Sequence, residues 1–292
     1  MMRKILFLLP LLLAACGTGS RDLLFTEGTG CVPYACDGPF AGDTIGIYYH
    51  VPAGRDPATM PVQFIIAGMN RNADKYRDDW IEKADQYGFI LLAPDLDEEH
   101  FPERVYQQGA VQDEAGNFNA PQDRVYPLVD KIFRFFQDNS ASRARGYNLY
   151  GHSAGGQFVH RFALFHDSPY AEKMVAANSG WYTFPSDTAA YPYGIAEVGE
   201  RDGIDPAVYY GKRLIVLLGD ADTLRTSNLR QTPEADAQGL TRFERGNRFF
   251  AWCRDDAARR GAAFRWQLRL VPGVGHSNPK MGPAAADVLY GE

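Results

Sequence analysis

The segment from Tyr147 to Gly156 constrains the fold of this 292-residue chain more than any other part of the sequence. It reads YNLYGHSAGG, so an apolar run leads into a Gly-x-Ser-x-Gly motif and then into a helical pattern. This order is typical of a tight strand-to-helix turn, in which flanking glycines prevent collisions between a Cβ and the neighbouring backbone. Such a turn raises the hydroxyl of Ser153 above the sheet and directs the first N–H groups of the helix towards an oxyanion. The segment therefore predicts a nucleophilic serine.

A carboxylate and a histidine follow this serine at the ends of two later strand patterns. The apolar run 213–219 predicts a buried strand, and Asp220 and Asp222 come directly after it. Residues 264–271 alternate in polarity and lead into a glycine-rich loop that carries His276. Open parallel sheets place functional loops at the carboxyl ends of their strands, so these groups are expected to meet there. The chemistry requires all three, because a histidine must accept the serine proton and a carboxylate must orient that histidine.

Strand patterns and helical patterns alternate along the rest of the chain, which predicts a doubly wound, mostly parallel sheet with helices on both faces. Further buried strands are predicted at 61–66, 88–95 and 173–180, and amphipathic helices at 74–87, 123–138 and 245–260. Long loops in a compact domain are usually functional, so we expect inserted lid loops around the substrate site at 96–122, 181–210 and 224–244.

The motifs give the chain a resemblance to the α/β-hydrolase superfamily over residues 46–289. GMNRNA at 68–73 and GHSAGGQFVHR at 151–161 are similar to the branch of polyhydroxybutyrate depolymerases, feruloyl esterases and polyaspartate hydrolases. The resemblance favours Asp222 over Asp220 as the acid, because the family usually leaves two residues between the strand-end glycine and its aspartate. It implies a catalytic triad of Ser153, Asp222 and His276. One departure is Ala67, which stands where many relatives have histidine.

The oxyanion hole is expected from two backbone N–H groups, those of Met69 and Ala154, because the family uses the residue after the nucleophile and the loop after an earlier strand. Substrate contacts are expected from Asn70, Arg71, Trp181 and Tyr182, although the two aromatic residues could equally pack a lid.

The resemblance implies a cofactor-independent, metal-free serine hydrolase. We expect it to cleave carboxylic esters, small or polymeric and polyhydroxyalkanoate-like, through an acyl-enzyme intermediate. One alternative is an amidase or peptidase on an acidic polymer such as polyaspartate, for which Arg71, Arg124 and Arg161 would hold carboxylates; each could equally be a solvated surface arginine. A second alternative is a non-catalytic envelope lipoprotein that only binds. The net charge of −6 gives no sign of nucleic-acid binding, and the oligomeric state stays open.

The start of the chain has the pattern of an export signal. Basic residues precede the apolar run 5–13, and the sequence LAACG at 13–17 resembles the bacterial lipobox. This resemblance implies lipid attachment to Cys16, with an ordinary secretory signal as the alternative. Gly17 favours an outer membrane, so we expect a lipid-anchored protein of the bacterial cell envelope.

Three units are therefore expected: a lipoprotein signal and tether start at 1–20, an N-terminal extension at 21–44 and a single catalytic domain at 45–292. Exported proteins meet oxidising conditions, which makes Cys31 and Cys36 candidates for a disulfide in the extension. Cys253 is expected to be a buried, inert thiol.

Overall fold

The computed structural model describes residues 23–291, which form a mixed sheet between two layers of helices. The strand order is β1-β2-β4-β3-β5-β6-β7-β8; the pairs β1/β2 and β2/β4 are antiparallel, and every later pair is parallel. The strands are β1 Gly28–Ala35, β2 Thr44–Val51, β3 Val62–Ile66, β4 Ile90–Pro94, β5 Tyr147–His152, β6 Ala171–Ala177, β7 Leu214–Gly219 and β8 Gln267–Val271. The α/β-hydrolase architecture predicted from the sequence is confirmed.

The helices cover both faces of the sheet, which explains why the central strands are apolar throughout. Every residue of β3, β4, β5 and β7 is buried. The helices are α1 Ala73–Asp78, α2 Ile81–Tyr87, α3 Glu103–Tyr106, α4 Pro127–Asp138, α5 Ala154–Phe165, α6 Val198–Asp202, α7 Pro206–Gly211, α8 Pro233–Gln238, α9 Arg242–Arg259 and α10 Asn278–Tyr290. One apolar cluster contains Phe133 of α4, Phe158 of α5 and Phe249 of α9, and a second contains Trp80 and Met281 of α10.

Two predicted elements differ in detail from the structure. The helix expected over 74–87 is divided into α1 and α2, and the fully buried Trp80 lies at the break. Its ring centroid is 4.8 Å from that of Tyr150 on β5, so the break directs a large side chain into the core. Part of the expected N-terminal extension belongs to the sheet, because β1 pairs with β2 from Gly28 opposite Val51 to Ala35 opposite Thr44.

The predicted disulfide between Cys31 and Cys36 is wrong, since both thiols are free. Cys31 lies within β1 and Cys36 directly follows its last residue. Five steps of extended chain separate the Cα atoms by about 16 Å and turn the two side chains to opposite faces. A disulfide requires a Cα separation below about 7 Å. Cys253 is buried as expected, and burial raises the pKa of its thiol well above the ordinary value.

The predicted lipid attachment site, Cys16, lies outside the described residues, as does the whole predicted signal. Within residues 23–291, no helix combines the length and the hydropathy needed to cross a membrane.

Candidate active site

Ser153 occupies the turn between β5 and α5 with an unusual backbone conformation, φ 59° and ψ −115°. The turn is possible because its neighbours are glycines. A Cβ on Gly151 would lie 2.1 Å from the carbonyl oxygen of Gly155, and a Cβ on Gly155 would lie 2.1 Å from that of Ile66. Backbone strain of this kind persists only where the surrounding structure enforces it, and it is concentrated at functional sites. The sequence motif thus produces the raised serine that it predicts.

A single hydrogen-bonded chain joins the three side chains of the predicted triad. The Ser153 Oγ lies 2.9 Å from the Nε2 of His276, and the Nδ1 of His276 lies 2.7 Å from the Oδ2 of Asp222. Asp222 follows β7 and is 2% exposed, whereas His276 lies in the loop between β8 and α10. The competing Asp220 accepts a hydrogen bond from the backbone N–H of Gly273 and does not contact the histidine in this way. The geometry therefore selects Asp222, as the family resemblance implies.

The two expected oxyanion donors lie beside this serine. Ala154 is the first residue of α5, so its N–H has no partner within the helix. Met69 belongs to the loop after β3, and both residues line a cavity of about 310 Å³ together with Ser153. Both residues predicted for the oxyanion hole therefore border the same cavity as the nucleophile, and their role as oxyanion donors stays a prediction.

The cleft has two arms that meet at Ser153. The first arm is the 310 Å³ cavity, whose walls include Gln157, Trp181, Asn228 and Arg230. The second arm has a volume of about 410 Å³ and contains His276 and Lys75 among its walls. Cavities of this size suit small organic groups, and both arms carry polar as well as apolar side chains.

The four expected substrate contacts have different environments. Asn70 is exposed and lines the second arm, and Trp181 lines the first arm. Arg71 is buried, with its guanidinium carbon 3.3 Å from the ring centroid of Tyr106. The expectation for Tyr182 is wrong: its ring is fully buried and stacks on Phe249 with a centroid separation of 4.3 Å. The chain bends after β6, at residues 178, 180 and 181, and only Trp181 of this aromatic pair lines the first arm.

Two of the arginines that the acidic-polymer alternative would use are neither substrate contacts nor solvated surface residues, because both are buried. Arg124 is 1% exposed and forms a buried ion pair with Asp202 of α6. Arg161 is fully buried and donates to the hydroxyl of Thr183 and to the carbonyl oxygen of Gln107. Because both guanidinium groups are buried, they are not available to a substrate in the cleft.

The cleft is lined instead by two arginines that the sequence did not indicate. Arg230 forms an ion pair of 3.0 Å with Glu103, and its guanidinium carbon lies 4.8 Å from the ring centroid of Trp181. Arg242 is 2% exposed, and its Nη1 lies 3.7 Å from the Oδ1 of Asp222. Neither residue belongs to a recognisable motif, and only the folding of the 224–244 segment brings them to the site.

His152, the residue before the nucleophile, packs against the predicted base. Its ring centroid is 4.6 Å from that of His276, and its Nδ1 lies 3.2 Å from the hydroxyl of Tyr76. Burial, followed by the positive potential of His276 and Arg242, holds the pKa of His152 well below its ordinary value. His152 therefore stays neutral and adds no charge next to the histidine that must take up a proton.

Residues 23–291 contain no group of three or more histidine, cysteine, aspartate or glutamate side chains arranged to hold a metal ion.

Similar proteins of known structure show the family to which this chain belongs. No family model and no curated protein matches the sequence. The poly(3-hydroxybutyrate) depolymerase LpqC from Bordetella parapertussis is 31% identical, with a TM-score of 0.85 over 91% of this chain and 90% of its own. The poly(aspartic acid) hydrolase-1 from Sphingomonas sp. KT-1 is 36% identical, with a TM-score of 0.83 over 92% of this chain and 100% of its own.

An S-formylglutathione hydrolase from Agrobacterium tumefaciens, 14% identical with a TM-score of 0.58, covers 92% of this chain and 97% of its own and shares the fold. Fold, site geometry and these similarities define a serine hydrolase. The chain belongs to the α/β-hydrolase superfamily, in the family that includes the Bordetella and Sphingomonas hydrolases.

Proposed function

We propose that the protein hydrolyses neutral carboxylic esters through an acyl-enzyme intermediate on Ser153. The observation that carries this proposal is the hydrogen-bonded chain from the Ser153 Oγ through His276 to Asp222, with distances of 2.9 and 2.7 Å. A serine hydroxyl becomes a competent nucleophile when a histidine accepts its proton and a carboxylate holds that histidine in the required tautomer.

In the acylation step, the Ser153 Oγ forms a bond to the ester carbonyl carbon while its proton moves to the Nε2 of His276. The carbonyl oxygen becomes an oxyanion between the N–H groups of Ala154 and Met69. The bond to the leaving alcohol then breaks, and His276 returns the proton to that alcohol. In the deacylation step, water repeats the sequence, so that a carboxylic acid and free Ser153 are formed.

The two arms of the cleft have different roles in this mechanism. Because His276 gives its proton to the leaving group, the alcohol portion lies on the histidine side, in the second arm. The acyl portion then lies in the first arm, beside Trp181 and Gln157. Since both arms extend away from Ser153, an ester with substituents on both sides of the scissile bond fits this assignment.

The charge distribution supports a neutral substrate. Arg230 is compensated by Glu103 and Arg242 by Asp222. A third cavity beside the cleft is bordered by four carboxylates together with the buried Arg71; these are Asp95, Asp97, Glu98 and Glu103. A polyanion bound here would lose hydration next to these carboxylates. In the first arm it would meet no arginine that lacks a carboxylate partner in the protein.

The second candidate function is cleavage of an acidic polymer. It is favoured by the 36% identity to an enzyme described as a poly(aspartic acid) hydrolase. In this case Arg230 would exchange Glu103 for a substrate carboxylate. Binding of a polyanion through exposed cations weakens with salt, because the Debye length is only about 10 Å at 0.1 M ionic strength.

The experiment compares kcat/KM for short and long acyl esters, polyhydroxybutyrate and polyaspartate at low and high salt, using protein that lacks residues 1–20. We expect turnover of neutral esters that is almost independent of salt, and its loss in Ser153→Ala. Salt-sensitive cleavage of polyaspartate that exceeds that of every neutral ester would establish the second candidate. Full activity of Ser153→Ala on all substrates, with contamination excluded, would refute both.

We also propose that Cys16 carries a lipid that anchors the enzyme to the cell envelope, from the LAACG motif alone. Replacement Cys16→Ser should prevent lipid attachment, and globomycin should cause a larger precursor to accumulate in cells. A mature N-terminus beyond Cys16 without modification would make the protein an ordinary secreted enzyme.

A further inference from the structure

The carboxyl group of Asp222 is almost completely removed from solvent. It is 2% exposed, and its Oδ2 is engaged with the Nδ1 of His276. A buried carboxylate with only a neutral partner is costly, because it gives up hydration without gaining an opposite charge. Before the serine proton is transferred, His276 is neutral in the proposed mechanism. The resting enzyme therefore needs another source of positive charge near Asp222.

Arg242 provides that charge from the beginning of α9. Its Nη1 lies 3.7 Å from the Oδ1 of Asp222, and the two side chains are 3% and 2% exposed. The helix itself is fixed to the acid loop, because the N–H of Phe243 donates to the carbonyl oxygen of Asp222 at 3.2 Å. The side-chain oxygen of Thr241 caps the helix by accepting from the N–H of Glu244. The guanidinium is thus held by backbone contacts on both sides of its attachment point.

The same guanidinium also contacts the wall of the cleft. Its Nη2 donates to the Oδ1 of Asn228 at 3.1 Å. Asn228 lines both arms beside Ser153 and a further cavity next to His276. One rigid, planar cation therefore lies between the catalytic acid and a substrate-facing amide.

We propose that Arg242 is a positioning residue for the catalytic acid. Its charge attracts the Oδ1 oxygen of Asp222, which leaves Oδ2 directed at His276. Because Arg242 faces Oδ1 at an ion-pair distance, it does not compete for Oδ2, the oxygen that orients the histidine. This role deepens the proposed triad mechanism and rests on it.

The test measures kcat and KM of full-length protein with a neutral p-nitrophenyl ester. We expect Arg242→Gln to lower kcat at least about tenfold with little change in KM, since the interaction serves the transition state. Arg242→Lys should recover part of this loss, because it returns the charge without the planar fork. The matched control is Arg124→Gln, which also removes a buried partner of an aspartate, Asp202, but lies outside the cleft. It should lower stability and leave kcat unchanged.

A double-mutant cycle with Asp222→Asn separates positioning from general support of the fold. With no carboxylate to position, Arg242→Gln should change kcat less than about twofold in the Asp222→Asn background. Independent, multiplying effects of the two changes would overturn the proposal, as would a kcat loss in Arg242→Gln no larger than in Arg124→Gln. If Arg242→Gln does not fold, the double variant should fold, because the unpaired buried charge is gone; failure of both would equally overturn it.

Two variants separate the role of Arg242 from the triad mechanism itself. Ser153→Ala with full turnover would remove the triad mechanism itself. An inactive Ser153→Ala together with a fully active Arg242→Gln would remove only the role of Arg242.

Discussion

Two clusters of serine, histidine and aspartate lie at opposite edges of the same sheet. At the carboxyl edge, His276 stands between Ser153 and Asp222, with hydrogen bonds to both. At the amino edge, the aspartate is in the middle: Asp130 Oδ1 accepts from the Ser168 hydroxyl at 2.6 Å, and its Oδ2 lies 2.8 Å from the Nε2 of His166. The residue types are the same, but the order of contact differs.

The order of contact decides the chemistry. The Ser168 hydroxyl gives its hydrogen to a carboxylate, which is a weaker base than imidazole, and its oxygen accepts from the N–H groups of Tyr170 and Ala171. Ser168 is therefore a loop-stabilising residue beside β6. Ser153 has the opposite properties, namely a strained backbone, a histidine within reach and helix N–H groups beside it. Catalytic competence thus comes from connectivity and backbone geometry, and the presence of three residue types is insufficient.

The largest expected effect concerns Asp222, the acid of the predicted triad. Replacement Asp222→Asn should reduce kcat by about 10⁴-fold, because an amide holds His276 in the wrong tautomer. Asp220→Asn should change kcat little, because Asp220 only accepts from the N–H of Gly273. Steady-state kinetics with one neutral ester measures both, and the reverse order of effects would mean that Asp220 is the acid.

A smaller effect is expected at the other cluster. Asp130 accepts from Tyr147 as well as from Ser168 and contacts His166, so Asp130→Asn should lower the free energy of unfolding by about 2 kcal/mol. The value of kcat should stay at the level of the unchanged enzyme. Urea unfolding measures the loss of stability, and steady-state kinetics measures kcat. A large loss of kcat in a folded variant would contradict the distinction between the clusters.

The smallest effect per residue concerns pH and two buried histidines, His152 beside His276 and His160 on α5. Burial, aided by nearby positive charges, holds the pKa of His152 and of His160 well below the ordinary value of 6.5. Below pH 6.5 the unfolded chain takes up protons that the folded chain does not. The contribution of these neutral histidines to the free energy of unfolding should therefore be fully present above pH 6.5. Below pH 6.5 it should fall by about 1.4 kcal/mol per histidine for each pH unit of acidification.

Urea unfolding between pH 7.5 and 5.5 measures this slope. His160→Gln keeps a donor for the carbonyl oxygen of Gly156 and an acceptor for the N–H of Thr183. The variant should therefore reduce the slope of the unfolding free energy against pH by the contribution of one histidine. An unchanged slope in that variant would show that His160 takes up its proton in the folded state.

The sequence predicts the part of the site that sheet topology fixes, and it misses the part that depends on how the loops fold. Ser153, Asp222 and His276 each come directly after a strand pattern, and short-range rules of sheet topology bring strand ends together. The arginines obey no such rule. Arg124 and Arg161 were candidates to hold substrate carboxylates only under the acidic-polymer alternative, or else surface residues, and both lie in the interior. Arg230 and Arg242 reach the cleft through the folding of a loop and a helix start.

The disulfide between Cys31 and Cys36 failed as a prediction for a related reason. Spacing along the chain predicts proximity only when the segment turns, and β1 is extended through Cys31 and pairs with β2 as far as Ala35. The segment 28–35 contains two glycines and a proline, residues that are depleted in strands, so nothing local indicated that this segment joins the sheet.

Ser153, at the strained turn after β5, is activated by its histidine, while Ser168 beside β6 is not. Labelling with a fluorophosphonate followed by peptide mass spectrometry distinguishes the two serines. We expect covalent modification of Ser153, loss of all labelling in Ser153→Ala, and full labelling in Ser168→Ala. Modification of Ser168, or labelling that survives in Ser153→Ala, would contradict the account.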